Sequence, residues 1–373
     1  MKNPIYINSV AIIAAVDSFK NSPRNGFFEK KRDTWICPIS ALNESRLGTF
    51  LEDNQRYKTL DRSVQLALLA ARDLKNVPEN TAVNIGSSRG ATGLWEECYS
   101  RFRESGKVPT ATSPLTTLGN ISSWVAQDLE TSQTAFSHSI TCATASHAIL
   151  NAIAWLESGM ATSFIAGASE APLTDFTIAQ MQALRIYSKD TDQYPCKSLD
   201  LSKKQNTMIL GEAAAVFLLS KNQENSIAKI SGYGSSIEKL SSATSVTQEG
   251  KCLQESMKLA IGKRDLNTID AIITHAPGTI KGDLAEMKAI KAVFGEKHPH
   301  LCNNKWQLGH ALGASSALNL AMAIEMFKAQ SIFKIPYLTE ALTNPRGDVR
   351  VPKCILINAT GFGGNAVSLI VDK

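Results

Sequence analysis

Ser137-His138-Ser139-Ile140-Thr141-Cys142-Ala143-Thr144-Ala145-Ser146-His147-Ala148-Ile149-Leu150-Asn151-Ala152-Ile153 is the stretch on which the reading of this chain turns. Residues 137–141 predict a short strand, and the small residues from Ala143 onward predict a helix over 143–157. A strand-to-helix corner at Cys142 sets the sulfur over the first helical turn. Unpaired backbone N–H groups there favour an anion and lower a thiol's pKa. Cys142 is therefore the expected nucleophile. Two histidines lie far downstream in glycine-marked loops, His275 in Thr274-His275-Ala276-Pro277-Gly278-Thr279 and His310 in Leu308-Gly309-His310-Ala311-Leu312-Gly313. One cysteine and two imidazoles suit acyl transfer, the thiol carrying the acyl group while the rings move protons and support charge.

Outward from that corner, β-branched runs alternate with helical patterns, which predicts α/β layering with buried strands. Strands are expected at 5–16, 81–85, 163–168, 213–219, 228–233, 271–275, 355–359 and 366–371, and helices at 62–74, 118–129, 253–261, 284–294 and 314–327. The polar connection Lys221-Asn222-Gln223-Glu224-Asn225-Ser226 divides the chain into an N-terminal half, 1–220, holding Cys142, and a C-terminal half, 227–373, holding both histidines. Cys142-Ala143-Thr144-Ala145-Ser146-His147-Ala148-Ile149-Leu150-Asn151 is echoed by His310-Ala311-Leu312-Gly313-Ala314-Ser315-Ser316-Ala317-Leu318-Asn319. Each is a reactive side chain opening an Ala/Ser helix. Either the halves arose by duplication or two unrelated Ala-rich helices look alike.

With 43% hydrophobic and 20% charged residues in 373, the chain can bury a large core. No run approaches about 18 apolar residues, so no membrane span is expected, and residues 1–16 read as a first strand. The net charge of +5 is scattered without a basic block. That argues against nucleic acid and leaves room for an acidic protein partner. Seven cysteines without a C-x-x-C suggest neither a disulfide framework nor a metal site, and point to a reducing cytoplasm. Gly86-Ser87-Ser88-Arg89-Gly90 fits G-x-S-x-G, yet a hydrolase would leave Cys142 without a task, so it reads as a loop at a strand end. Gly361-Phe362-Gly363-Gly364-Asn365-Ala366 fits a dinucleotide fingerprint but no helix follows it. Its glycines can instead bring backbone N–H groups to a reacting carbonyl, with the Phe362 ring as a cover. His298 and His300 read as solvated, His138 and His147 as structural.

These segments, in order, resemble the β-ketoacyl-acyl carrier protein synthases, the condensing enzymes of the thiolase superfamily. The resemblance rests on Thr141-Cys142-Ala143-Thr144-Ala145, Ala166-Gly167-Ala168-Ser169-Glu170-Ala171-Pro172, Ser198-Leu199-Asp200, Leu210-Gly211-Glu212-Ala213-Ala214, His275 through Gly282-Asp283, Lys305 with Gly309-His310, and Gly361-Phe362-Gly363-Gly364-Asn365. It implies a thiolase-like α/β fold of two pseudo-repeated halves layered α-β-α-β-α. It further implies that Cys142 holds the acyl thioester, that the N–H groups of Cys142 and Phe362 form an oxyanion hole with Gly361 and Gly363 shaping it, and that Phe362 gates loading. His275 and His310 would promote decarboxylation of a malonyl thioester, Lys305 would be the buried cation ordering them, and Thr279 would meet the carrier's phosphopantetheine arm. No metal or dissociable cofactor is implied, since phosphopantetheine arrives on the acyl carrier protein. The partners implied are that carrier protein and a second subunit, in a homodimer or a heterodimer with a chain-length-factor-like chain.

The chain departs from the family pattern in three places. His275-Ala276-Pro277-Gly278-Thr279 replaces His-Gly-Thr-x-Thr, a variant similar to aryl-polyene and flexirubin-type synthases. Asn319 stands fourteen residues beyond Lys305, where the family usually carries a glutamate that pairs with the lysine, so another acid must serve or Lys305 is partly neutral. Lys197 stands where an arginine is common. The rival readings are a silent chain-length-determining subunit, against which the retention of Cys142, His275 and His310 argues, and a thiolase acting on coenzyme A thioesters, which needs a second cysteine within the glycine loop that Cys354 precedes by a strand.

Overall fold

Runs of buried apolar residues form the strands of the computed structural model, which describes residues 4–19, 29–31, 34–118, 120–240, 247–339, 345–347 and 351–373. In chain order they are β1 (Ile5–Ile13), β2 (Glu29–Lys31), β3 (Thr34–Cys37), β4 (Thr81–Gly86), β5 (Ala135–Phe136), β6 (Ser163–Glu170), β7 (Leu210–Gly211), β8 (Ala213–Ser220), β9 (Ala228–Ile237), β10 (Ala271–Ile273), β11 (His300–Cys302), β12 (Cys354–Gly361) and β13 (Asn365–Asp372). Ten of them make one sheet in the order β11-β10-β12-β13-β9-β1-β8-β6-β4-β5, and β2-β3-β7 make a small second one.

That order repeats itself. In the N-terminal half β1 pairs antiparallel with β8, β8 antiparallel with β6, and β6 parallel with β4, which is parallel to β5. In the C-terminal half β9, β13, β12, β10 and β11 pair in the same sequence of senses. The helix Thr144–Ser158 precedes β6, and the helix Ser315–Ala329 precedes β12, the corresponding strand of the second half. The echo between the Cys142 and His310 segments is thus one of topology as well as sequence.

Strand alternation sorts the side chains into layers. Ala166, Phe217, Ile355, Val367 and Leu369 face a shared core with the helices Thr144–Ser158 and Ser315–Ala329. Ile165, Val216 and Leu218 face outward onto the helices Arg62–Arg72 and Asn120–Asp128. Leu356 and Ile370 face outward onto Lys251–Ile261 and Ile280–Phe294. The arrangement is the expected α-β-α-β-α. The central helices lie close because their facing residues are small, and the Ser146 N–H donates to Ser316 Oγ at 3.0 Å.

Two local expectations fail. Residues 137–141 do not form a strand: β5 ends at Phe136, and Ser137 Oγ donates to the Ile85 carbonyl at 2.8 Å while His138 bonds Asn84 Oδ1 and the Thr144 carbonyl. Side-chain hydrogen bonds there take the place of the ladder. His298 is buried rather than solvated, because its carbonyl accepts from Arg346 N at 2.8 Å and its ring bonds the Pro299 carbonyl at the head of β11.

Candidate active site

Cys142 stands two residues before the first residue of the central helix Thr144–Ser158. Thr141, immediately before it, has φ 46°, a backbone conformation costly for a β-branched residue. Neighbouring groups hold it there. Thr144 Oγ1 donates to the Thr141 carbonyl at 2.6 Å, and Thr141 Oγ1 donates to the Phe362 carbonyl at 3.3 Å. This elbow turns the half-buried sulfur toward the second half of the chain.

His310 meets it, with Nε2 3.2 Å from Cys142 Sγ and Nδ1 2.8 Å from Ser315 Oγ. The histidine's backbone is fixed by pairing with the segment around β7, His310 N donating to the Ile209 carbonyl at 2.6 Å and Gly211 N to the His310 carbonyl at 3.1 Å. Any side chain at 211 would overlap the Leu308 carbonyl, so only glycine permits this approach. The His275 ring stands edge-on to the His310 ring, with centroids 5.3 Å apart. The three expected side chains, separated by up to 168 residues, converge at one point.

Two buried carboxylates, to which sequence reasoning gave no role, hold the loops that carry these groups. Glu286 accepts from His275 N at 2.9 Å, Ala276 N at 2.6 Å and Asn358 Nδ2 at 3.1 Å. Glu170, at the end of β6, accepts from Ser87 Oγ at 3.0 Å, from Ser88 N and from Gly313 N at 3.1 Å, clamping the end of β4 to the turn after His310. The G-x-S-x-G stretch thus serves as a strand-end loop that binds a carboxylate. Burial raises the pKa of both carboxyls, and the N–H donors oppose that shift.

The expectation of a depressed thiol pKa is overturned. Burial pushes Cys142 up to about 12, the Glu170 charge adds to the rise, and Lys305 with the residue's own backbone N–H only partly offsets it. The thiol is protonated at neutral pH, and His310 Nε2 lies within hydrogen-bonding reach of its sulfur. Burial, and then the Lys305 charge, hold both histidines well below their usual pKa, so they are neutral and each can take or give one proton.

Lys305 is fully buried, and its Nζ makes no hydrogen bond among the described residues. Burial lowers its pKa to about 8, and the largest opposing influence is the Glu286 charge. Glu286 thus offsets the burial of Lys305 through space alone, without a hydrogen bond. Asn319 instead donates from Nδ2 to the Thr274 carbonyl at 3.2 Å, and its Oδ1 has no partner among the described residues.

The glycine loop between β12 and β13 closes the site. A Cβ on Gly361 would overlap Thr141 Oγ1 and stand 3.0 Å from Cys142 N, so the loop backbone lies directly on the nucleophile's elbow. Gly363 and Gly364 take φ 89° and 77°, and the Phe362 ring is 39% exposed, as suits a movable cover. Gly361→Ala is expected to lower acylation of Cys142 about 100-fold by displacing the elbow, measured as the rate of thioester formation on folded protein. Thr279 caps the helix Ile280–Phe294, its Oγ accepting from Gly282 N at 3.2 Å, and its hydroxyl proton stays available to a ligand. Among the described residues no group of three or more His, Cys, Asp or Glu side chains is placed to hold a metal ion, and no helix is long and apolar enough to cross a membrane.

A strained nucleophile elbow, a neutral histidine pair and a glycine loop over the sulfur, built on a duplicated α/β frame, define a condensing enzyme of the acyltransferase type. Residues 16–225 match the beta-ketoacyl synthase N-terminal domain and residues 227–338 the beta-ketoacyl synthase C-terminal domain. The chain belongs to the β-ketoacyl synthase family. It is 27% identical over 352 residues to 3-oxoacyl-[acyl-carrier-protein] synthase 2 of Staphylococcus aureus (strain COL), covering 86% of this chain and 84% of that one. It is 28% identical over 298 residues to Nodulation protein E of Rhizobium sp. (strain N33), covering 73% and 71%. Its fold is similar to that in a type II polyketide acyl-carrier protein complex with its ketosynthase bound to the hexaketide, with TM-score 0.85, 19% identity and 99% of each chain covered. It is also similar to that in the ketosynthase ApeO in complex with its chain length factor ApeC from Xenorhabdus doucetiae, with TM-score 0.81, 20% identity and 100% and 98% covered.

Proposed function

We propose that this chain is a 3-oxoacyl-acyl carrier protein synthase, in which Cys142 accepts an acyl group as a thioester and condenses it, with loss of CO2, with a malonyl group borne by a carrier protein. The observation that carries this is the approach of His310 Nε2 to 3.2 Å from Cys142 Sγ, with the His275 ring beside it. In the first step the sulfur attacks the incoming thioester carbonyl, its proton passes to His310, and the carrier's pantetheine thiolate leaves and takes up that proton. In the second, the malonyl C–C bond breaks and CO2 departs. His275, and His310 in the tautomer that carries its proton on Nε2 with Ser315 Oγ donating to Nδ1, give N–H groups to the enolate oxygen, and the enolate carbon attacks the Cys142 thioester. The C–S bond breaks, the departing Cys142 thiolate takes up a proton from solvent, and the chain is two carbons longer.

No metal or dissociable cofactor enters these steps, since pantetheine arrives with its carrier, and Thr279 would meet that arm. Carrier docking fits the chain's net positive charge. A second copy or a chain-length-factor-like subunit would complete the assembly, in fatty-acid or polyene and polyketide-type synthesis. A reducing cytoplasm suits the free thiol. Incubation with acyl- and malonyl-carrier protein, followed by mass spectrometry of Cys142 and of the product, tests the reading. Acylated Cys142 and a 3-oxoacyl product whose formation depends on His275 and His310 are expected. An unlabelled Cys142 would favour a silent chain-length-determining subunit.

A further inference from the structure

A cavity of about 280 Å³ opens beside the turn after β4, walled by Ser88, Arg89, Trp95, Glu96, Leu118 and Phe176. Its polar groups are incompletely satisfied. Arg89 Nη2 donates to Thr177 Oγ1 at 3.1 Å and to Gln180 Oε1, both neutral, while Arg89 Nε and Ser88 Oγ are buried and make no hydrogen bond among the described residues. Among the described residues Arg89 forms no ion pair, and the nearby carboxylate Glu96 accepts instead from Thr174 Oγ1 at 2.7 Å. A buried N–H and a buried hydroxyl left idle on adjacent residues cost stability unless something else uses them.

The cavity adjoins the nucleophile through one helix. Cys142 lies against the apolar cluster to which Ile178 and Met181 of the helix Asp175–Ala183 belong, and Thr177 and Gln180 of the same helix hold Arg89. Ser139, three residues before the nucleophile, donates to the Ser88 carbonyl at 3.5 Å. We propose that this cavity seats the far end of the acyl chain carried by Cys142, and that this end bears an oxygen, as a hydroxyl or a carboxylate, which accepts from Arg89 with Ser88 beside it. Trp95, Leu118 and Phe176 would cover the adjoining methylenes. A chain ending in a methyl leaves Arg89 Nε unpaired, and a site built to hydrogen-bond a group discriminates strongly against its absence.

The inference rests on acylation of Cys142, and the test separates the two. Octanoyl, 8-hydroxyoctanoyl and 7-carboxyheptanoyl thioesters of N-acetylcysteamine are offered singly, and the rate of label on Cys142 is read by intact mass. In the wild-type protein one or both oxygen-ended chains should label at least about 10-fold faster than octanoyl. Arg89→Met should bring that ratio within about twofold of unity, and a melting temperature close to that of the wild type reports that the variant is folded. The hydroxyl and carboxylate arms show which oxygen is preferred. A wild-type ratio near one, or a ratio unchanged in Arg89→Met, would overturn the subsite alone. No label from any of the three would overturn acylation of Cys142 and the subsite with it.

Discussion

Cys142→Ala should abolish condensation, by more than about 10⁴-fold, while CO2 release from malonyl-carrier protein stays within about tenfold of the wild-type rate. The two effects separate because the geometry separates the two tasks. Only the first requires an atom to hold the acyl group. The remaining described cysteines are buried, and none of them faces the histidine pair as Cys142 does. Decarboxylation needs donors to the enolate oxygen, and in the proposed mechanism these are His275 and His310, whose backbones are fixed by Glu286 and by the β7 segment rather than by the sulfur. Loss of the thiol also removes a group whose proton His310 must take, so the ring stays neutral and available. The measurement is ¹⁴CO2 release beside 3-oxoacyl product on the same protein. Condensation surviving in Cys142→Ala would remove this residue as the acyl carrier.

The fold was legible because its signals are local. β8 and β6 are uninterrupted buried runs, the polar segment at 221–226 separates two series of strands, and the two Ala/Ser helices share an order of small residues that only a close central packing requires. Cys142, His275 and His310 were legible for a similar reason, each sitting in an unusual local context. Glu170 and Glu286 were not. Their work is to receive N–H groups that the topology delivers from elsewhere, in the case of Glu170 from residues 82 and 143 positions distant, and nothing in the flanking residues announces that. The thiol pKa was misjudged for the same cause. The helical turn that favours a thiolate is local, whereas the burial and the Glu170 charge that outweigh it come from β6 and the layers around it. Residues 137–141 read as a strand because composition does not reveal that Ser137 and His138 spend their hydrogen bonds on β4.

Lys305→Met should lower condensation about 100-fold at pH 7 while leaving the protein as stable as before or more so. An ammonium buried without a hydrogen bond is a net cost, and an unbranched apolar side chain fills its volume without that cost. Glu286 tolerates the change because its carboxyl remains bonded to His275 N, Ala276 N and Asn358, and burial already favours its neutral form. Catalysis does not tolerate it, because the Lys305 charge lowers the pKa of Cys142 and of both histidines. The stability effect carries a pH signature. The lysine's pKa falls from 10.5 to about 8 on folding, so between those values the unfolded chain binds more protons and the wild-type protein gains stability as pH rises. Below about 8 the penalty is present in full, on the order of 3 kcal/mol. The difference in Tm between variant and wild type should therefore be largest near pH 7 and shrink toward pH 10, as read by calorimetry across that range. A gap that does not change with pH, or a variant that melts several degrees lower at pH 7, would mean that Lys305 is ion-paired in the folded protein rather than held there at a cost for the sake of the sulfur and the two rings.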